Sequence, residues 1–213
     1  VISVSGTGAD HRDGRSIIAR RINMKTYIVK DLMVPIAEYA TVSEDATLSE
    51  AISSLEKAQE EFDQTRYRHR AVLIYDKNQK IVGKLSQLDA LKALEPKYKE
   101  LQTDGTTRHL GFSTKFIQGM LNQFSLWATP LSDICRKGAD RKVKDFMHTP
   151  TEGEYVHEDA SLDMAIHQLI IGHHQSLLVT NKTGDIVGIL RLSDVFAAVF
   201  HKLKECSRDT GTT

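Results

Sequence analysis

The chain has 213 residues, with Lys plus Arg and Asp plus Glu balanced at 28 each, which allows one or two domains and excludes an overall field that would recruit nucleic acid or an acidic membrane surface. Its two cysteines, Cys135 and Cys206, form no C-x-x-C pair, so neither a disulfide framework nor a thiolate zinc site is supported and a reducing, cytoplasmic setting is expected. Apolar runs such as residues 71–75 are far too short to span a bilayer, and the first residues lack a signal-peptide core, so no membrane insertion is expected.

In chain order, residues 1–24 are the least readable. VISVS is strand-like and is followed by GTGADHRDGRS and IIARRI, a loose likeness to a phosphate-binding loop between a strand and a helix. From Gly8 to Gly14 there is one residue too many for that loop, and Arg15 stands where lysine is required. A basic, partly disordered arm, a remnant of a lost domain or an appended segment accounts for the stretch better, since Met24 could itself open the repeat described next.

A first copy of that repeat covers residues 25–95. A short strand at residues 40–42 precedes Thr47-Leu-Ser-Glu50, a capping box whose hydroxyl and carboxylate each satisfy an exposed N–H at a helix start. Leu48, Ala51, Ile52, Leu55 and Ala58 recur at three- and four-residue spacing and predict an amphipathic helix, which runs on towards the basic cluster Arg66, Arg68, His69 and Arg70. Ala71-Val-Leu-Ile-Tyr75 reads as a buried strand, and Asp76 to Gln79 as a turn into a strand at Ile81-Val-Gly83. Ser86 then caps a second helix with Asp89 in its first turn, where the helix dipole favours a carboxylate. The same residues allow a second reading, in which Gly83 leaves room for a flat ligand beside backbone N–H groups and Asp89 accepts both hydroxyls of a ribose.

Residues 96–141 are too long for an ordinary connection. Phe112, Phe116, Ile117, Met120, Leu121 and Phe124 predict an amphipathic helix, and Leu126, Trp127, Leu131 and Ile134 add surface that needs burial. Two outcomes are open: a helical pair packed on its own module, or a dimer or partner contact.

A second copy covers residues 142–201 and is followed by a polar tail, residues 202–213. VKDLM at 29–33 returns as VKDFM at 143–147, and EDATL at 44–48 as EDASL at 158–162, each 114 positions later. IVG at 81–83 returns at 186–188 and Asp89 as Asp194, both 105 positions later, so the first copy is nine residues longer between Ser53 and Arg70. Ser161 replaces Thr47 as cap, Leu162, Ala165, Ile166, Leu169 and Ile170 keep the apolar stripe, and residues 176–180 repeat the buried strand. Arg191 stands where Ser86 stood, so the two sites are not chemically alike. His167, His173 and His174 are a weak metal set without patterned Cys or carboxylate partners. The whole is an α/β (α+β) chain made of a tandem repeat.

Two copies of K-D-[LF]-M, E-D-A-[TS]-L-x-x-A-I, a buried strand and [IV]-V-G-x-L-x-x-x-D, spanning residues 25–200, resemble cystathionine-β-synthase-type (CBS) domains paired as a Bateman module. The resemblance implies a β-α-β-β-α fold for each copy, pseudo-twofold symmetry between them, and clefts that bind AMP, ADP, ATP or S-adenosylmethionine to regulate an attached or associated protein. It maps the family's G-x-x-[ST]-x-x-D onto Gly83, Ser86 and Asp89, with the aspartate on the ribose hydroxyls and the serine near ribose or phosphate. The second copy matches at Gly188 and Asp194 but carries Arg191 in place of the hydroxyl, a residue able to hold phosphate bidentately. Phosphate-side positions fall on His69 and Arg70 in one copy and on His174 and Gln175 in the other, with adenine-facing backbone around Thr41 and Val156.

The expected function is therefore a non-catalytic adenine-nucleotide sensor, with no required cofactor, that dimerises and controls a protein partner. The alternative is a ligand-free oligomerisation module in which both aspartates only cap helices and the insertion binds the partner. A kinase-like enzyme using the N-terminal glycine loop is a third reading.

Overall fold

The computed structural model describes residues 27–61, 68–95, 97–98 and 113–209; the N-terminal arm, Arg66 and Phe112 lie outside them. After a 3-10 turn at Val29–Asp31 comes β1 (Val34–Pro35). The first copy then runs β2 (Thr41–Ser43), α1 (Leu48–Glu61), β3 (Ala71–Tyr75), β4 (Ile81–Ser86) and α2 (Gln87–Leu94). Two helices of the insertion follow, α3 (Thr114–Gln123) and α4 (Leu131–Ala139). The second copy is β5 (Tyr155–His157), α5 (Leu162–Ile171), β6 (Ser176–Thr180), β7 (Ile186–Arg191) and α6 (Leu192–Asp209). Each copy is β-α-β-β-α, as its periodicities require.

The predicted capping box opens α1: the Thr47 N–H donates to Glu50 Oε2 at 2.6 Å and the Glu50 N–H to Thr47 Oγ1 at 3.2 Å. The helix buries Leu48 and Ala51 on its core side. Ser161 holds the corresponding position of α5 but forms no side-chain cap. Met164 stands where the first copy has Glu50, so the reciprocal carboxylate of the box is missing. The Leu162 N–H donates to the Tyr27 carbonyl at 2.8 Å, as the Leu48 N–H does to the Arg141 carbonyl at 2.9 Å, each a partner supplied by the other copy's leading segment.

That contact belongs to an exchange which joins the copies. Residues 27–35 leave their own copy and dock on the second, while residues 141–148 dock on the first. The Val29 N–H bonds to the Ala160 carbonyl and the Val143 N–H to the Ala46 carbonyl, both at 2.9 Å. Ile28 bridges Ser161 as Lys142 bridges Thr47, and β1 pairs Val34 with Ile189 as His148 pairs with Lys84. Every one of these contacts maps onto its counterpart when the copies are interchanged, which is pseudo-twofold symmetry expressed in hydrogen bonds.

The exchange completes two cores. Val29, 0% exposed, sits with Val156, Leu162, Leu169, Leu177, Leu190 and Val195 of the second copy. Val143, also 0% exposed, sits with Val42, Leu48, Val72, Ile74 and Leu85 of the first. Burying a valine side chain contributes roughly 1.5–3 kcal/mol, so each copy depends on the other for part of its stability. A third cluster, Val34, Tyr39, Leu73, Leu178 and Ile189, lies between the copies.

β3 pairs parallel with β2 and antiparallel with β4, and β6 likewise with β5 and β7. Both antiparallel pairs carry an irregularity at the same place, beside Val82 and beside Val187. Such a bulge bends the strand next to the glycine that follows. The glycines serve the exchange: a Cβ on Gly188 would come within 2.7 Å of the Val34 carbonyl oxygen and 2.8 Å of Met33 Sδ. One on Gly83 would come within 2.6 Å of Met147 Sδ and 3.2 Å of the His148 carbonyl oxygen. The room expected at Gly83 for a flat ligand is thus filled by Met147.

The two described helices of the insertion are placed differently. α4 packs on the first copy, with Ile134 buried and Leu94 of α2 seated where Gly138 has no side chain. Arg141 donates to the Ala93 carbonyl and lies over the Phe146 ring, 5.5 Å from its centroid. Glu95 accepts the Trp127 N–H at 2.9 Å, and the Trp127 indole donates to the Tyr98 hydroxyl at 3.0 Å. α3 is capped by Ser113 but leaves Phe116, Ile117 and Leu121 exposed.

The two sides of the exchange differ in polarity. Where one has Val34, Ala40 and Ile189, the other has His148, Glu154 and Lys84 at the equivalent positions. Glu154, 3% exposed, accepts from Lys84 Nζ at 2.6 Å and from the Thr151 N–H at 3.1 Å, and pairs with His148 Nε2 at 2.6 Å. Burial alone would push this carboxyl up. The bonds from Lys84, His148 and the Thr151 N–H outweigh it and lower the pKa from an ordinary 4.5 to about 2.

Because the Val34 carbonyl is backbone while Met147 Sδ ends a flexible side chain, Gly188→Ala is expected to destabilise the chain by about 1–3 kcal/mol, as overpacking does, and Gly83→Ala by less. Urea denaturation of both variants checks the order. The folded chain holds fewer protons than the unfolded one wherever Glu154 is ionised only when folded, so its contribution is complete above pH 4.5 and is lost as pH falls towards about 2. Glu154→Gln is expected to cost about 3–5 kcal/mol at neutral pH, by leaving Lys84 without its counter-charge, and to remove that part of the acid dependence. Denaturation at pH 7 and pH 3 measures both effects.

Candidate functional site

Each copy ends its second antiparallel strand at the start of a helix, and the two aspartates singled out in sequence lie in the first turns of α2 and α6. In the first copy the side chains close a capping box. The Asp89 N–H donates to Ser86 Oγ at 3.2 Å, the Ser86 N–H to Asp89 Oδ2 at 3.0 Å, and the Ser86 hydroxyl to the same Oδ2 at 2.6 Å. Capping is therefore present, and among the described residues these bonds fall on Oδ2. Asp89 is only half-buried, and the capping bonds to its carboxylate use one of its two oxygens.

In the second copy the same position is treated differently. Arg191 donates from Nε to Asp194 Oδ2 and from Nη2 to Asp194 Oδ1 at 2.6 Å, a forked pair that takes both carboxylate oxygens. Its remaining nitrogen, Nη1, lies 3.2 Å from Nδ1 of His69 in the first copy. A guanidinium only donates, so Nδ1 is the acceptor and the imidazole proton is assigned to Nε2. Arg191 is 5%, Asp194 9% and His69 0% exposed.

Tyr39, which the sequence reading passed over, completes this cluster. Its ring packs edge-on against His69, with centroids 4.4 Å apart and an interplanar angle of 67°. Burial pushes the phenol up to about 12; the Arg191 charge opposes the rise, Asp194 adds to it and a bond to the Ala71 backbone opposes it. Tyr39 is therefore a neutral hydroxyl at any physiological pH.

The structure re-pairs the expected site residues. His69, expected with Asp89, belongs instead to the Arg191 and Asp194 cluster of the other copy. Arg70 contributes its carbonyl to the Gln87 N–H at 3.2 Å, and Gln175 its carbonyl to the Leu192 N–H at 2.9 Å, so both brace helix starts through backbone. His174 lies against the end of α5: its N–H donates to the Leu169 carbonyl at 3.0 Å, and its Nε2 is 3.9 Å from where a Cβ on Gly153 would stand. The Thr41 carbonyl accepts from the Ser54 hydroxyl at 3.3 Å and the Val156 carbonyl from the Thr180 hydroxyl at 3.4 Å. The Val156 side chain is part of the second copy's core. Gly83 and Gly188 face the exchanged segments.

Lys84, His148 and Glu154 also escaped the sequence reading. Their signal was available in the repeat itself, because Val34 and Ala40 of the first copy become His148 and Glu154 in the second, and Lys84 of the first becomes Ile189. No group of three or more His, Cys, Asp or Glu side chains suited to a metal ion occurs among the described residues. None of the helices described is long and apolar enough to cross a membrane.

Comparison with solved structures finds the same fold. A CBS domain-containing protein of unknown function from Bacillus anthracis str. Ames Ancestor aligns at TM-score 0.54 and 18% identity, over 84% of this chain and 96% of that one. CBSX2, a CBS-pair protein of Arabidopsis thaliana, solved in complex with AMP, aligns at TM-score 0.51 and 19% identity, over 82% and 97%. The CBS domain of a bacterial CNNM/CorC family Mg2+ transporter in complex with ATP aligns at TM-score 0.51 and 16% identity, over 83% and 89%. A comparison with curated proteins gave no match. The family model described as CBS domain matches twice, at residues 29–96 and 143–201, together more than half of the chain. The chain belongs to the CBS-domain family and is a CBS pair, or Bateman module, whose two domains are interlocked by their exchanged leading segments.

Proposed function

We propose that this CBS pair is a cytoplasmic, non-catalytic regulatory module that binds an adenine nucleotide, AMP, ADP or ATP, or the related S-adenosylmethionine, and passes its occupancy to a protein partner. The observation that carries the reading is the Ser86 and Asp89 pair: a half-exposed carboxylate at a helix start, capped through one oxygen, is suited to accept ribose hydroxyls through the other. AMP on CBSX2 and ATP on the transporter CBS domain support an adenosine ligand for this fold. The module works as a homodimer, to which the apolar residues Leu88 and Leu91 on α2 and Phe196 and Phe200 on α6 offer exposed helix faces. Balanced charge makes nucleic acid a poor partner.

A second reading, a ligand-free scaffold, is favoured by two observations. The Asp89 carboxylate already serves as a cap, and α3 presents Phe116, Ile117 and Leu121 to solvent.

Melting curves separate the two. A ligand at 100 times its dissociation constant stabilises by about 2.7 kcal/mol, so AMP, ADP or ATP is expected to raise the melting temperature. No shift at millimolar concentration with any of these or with S-adenosylmethionine would leave the scaffold reading. Asp89→Asn removes a charged acceptor whose bonds contribute about 1.5–3 kcal/mol, so nucleotide affinity is expected to fall about ten- to a hundredfold with the fold intact. Calorimetry checks the affinity and circular dichroism the fold. Sedimentation is expected to give a dimer; a monomer at tens of micromolar would refute the oligomeric part.

A further inference from the structure

The two clefts differ by two coordinated exchanges around a shared histidine. Around Asp194 stand Arg191, His69 and Tyr39. The positions equivalent by the repeat are Ser86, which bonds to Asp89, and His174 and Gly153, which lie beside each other. The first set is buried throughout and bonded within itself: both Asp194 oxygens go to the guanidinium, the third guanidinium nitrogen to His69, and the His69 ring against Tyr39. The second set has a serine for the arginine and a glycine for the tyrosine, and its histidine and carboxylate are only half-buried.

We infer that the Asp194 cleft carries a built-in occupant, the Arg191 side chain, so that each chain takes one nucleotide, at Asp89, and Arg191 is the residue that sets this stoichiometry. The inference rests on the nucleotide reading above. A nucleoside reaching Asp194 would have to replace two charge-assisted bonds with bonds from neutral hydroxyls, and would leave a buried guanidinium without its counter-charge. It would also need the volume that the Tyr39 and His69 rings fill. At Asp89 neither obstacle exists, because the bonds to be rearranged come from a small hydroxyl that can itself turn towards the ligand. What the second cleft does instead is hold the domains together, since the Arg191 to His69 bond runs from one copy to the other.

Calorimetric titration of the full chain with AMP, ADP and ATP tests this. The expected result is one site per chain, weakened as a single component by Asp89→Asn. Introducing Arg191→Ser together with Tyr39→Gly, the residues found at the equivalent positions of the first cleft, into the Asp89→Asn chain is expected to create a new site at Asp194 and so restore binding at least tenfold above the Asp89→Asn level; a folded chain of this kind that stays at that level would overturn the role given to Arg191. Two sites in the unaltered chain, or a component in Asp89→Asn that keeps the original affinity, would overturn the inference while leaving the nucleotide reading in place. Absence of binding to all three and to S-adenosylmethionine would remove both. Should the triple variant fail to fold, the stoichiometry of the unaltered chain and of Asp89→Asn decides alone.

Discussion

Val29 and Val143 are each buried in a core to which their own repeat does not belong, and most of the architecture depends on that reciprocal loan. The leading segment of each copy supplies an apolar residue, a strand partner and a carbonyl for a helix start, all to the other copy. Backbone approach this close demands glycine at 83 and 188, where Met147 and the Val34 carbonyl leave no room for a Cβ. The strand irregularities beside those glycines bend both sheets alike. A repeat of this size would be marginal alone, and the exchange makes one cooperative body of two marginal ones.

On this symmetric backbone the side chains are not symmetric. One crossing is apolar, through Val34 and Ile189, and the other is ionic, through Lys84 and Glu154. One helix start is closed by a forked arginine, the other by a serine. Buried ion pairs add little net stability over well-packed apolar residues but penalise wrong pairings severely. Placing one such triad on a single side of a quasi-symmetric unit tells the two leading segments apart. An exchanged arrangement with the wrong segment on each copy would leave Glu154 or Lys84 facing an apolar surface.

Much of the fold was legible because its signals are local. Capping at Thr47 and Ser86, the four buried residues of β3 and the apolar stripe of α1 are all set by neighbours within four positions, and repetition of the pattern pointed to the family. The misreadings share one physical origin. His69 was assigned to Asp89 because both belong to the first copy, whereas its ring bonds to Arg191, 122 positions away. Gly83 was read as room for a ligand because no local rule reports that Met147 crosses there. Periodicity reports which face of an element is buried; it carries no information on which copy does the burying. The charged triad was visible only as three differences between aligned copies, and its partnership needed the crossing to be known.

The insertion gives α2 a property that its counterpart α6 does not share. This helix of eight residues, about 12 Å long, bears Asp89 at one end and is fastened at the other to α4 and the Trp127 turn, through Ala93, Leu94 and Glu95. A tilt or axial shift imposed at the Asp89 end would strain those contacts, and the same insertion carries the exposed apolar residues of α3.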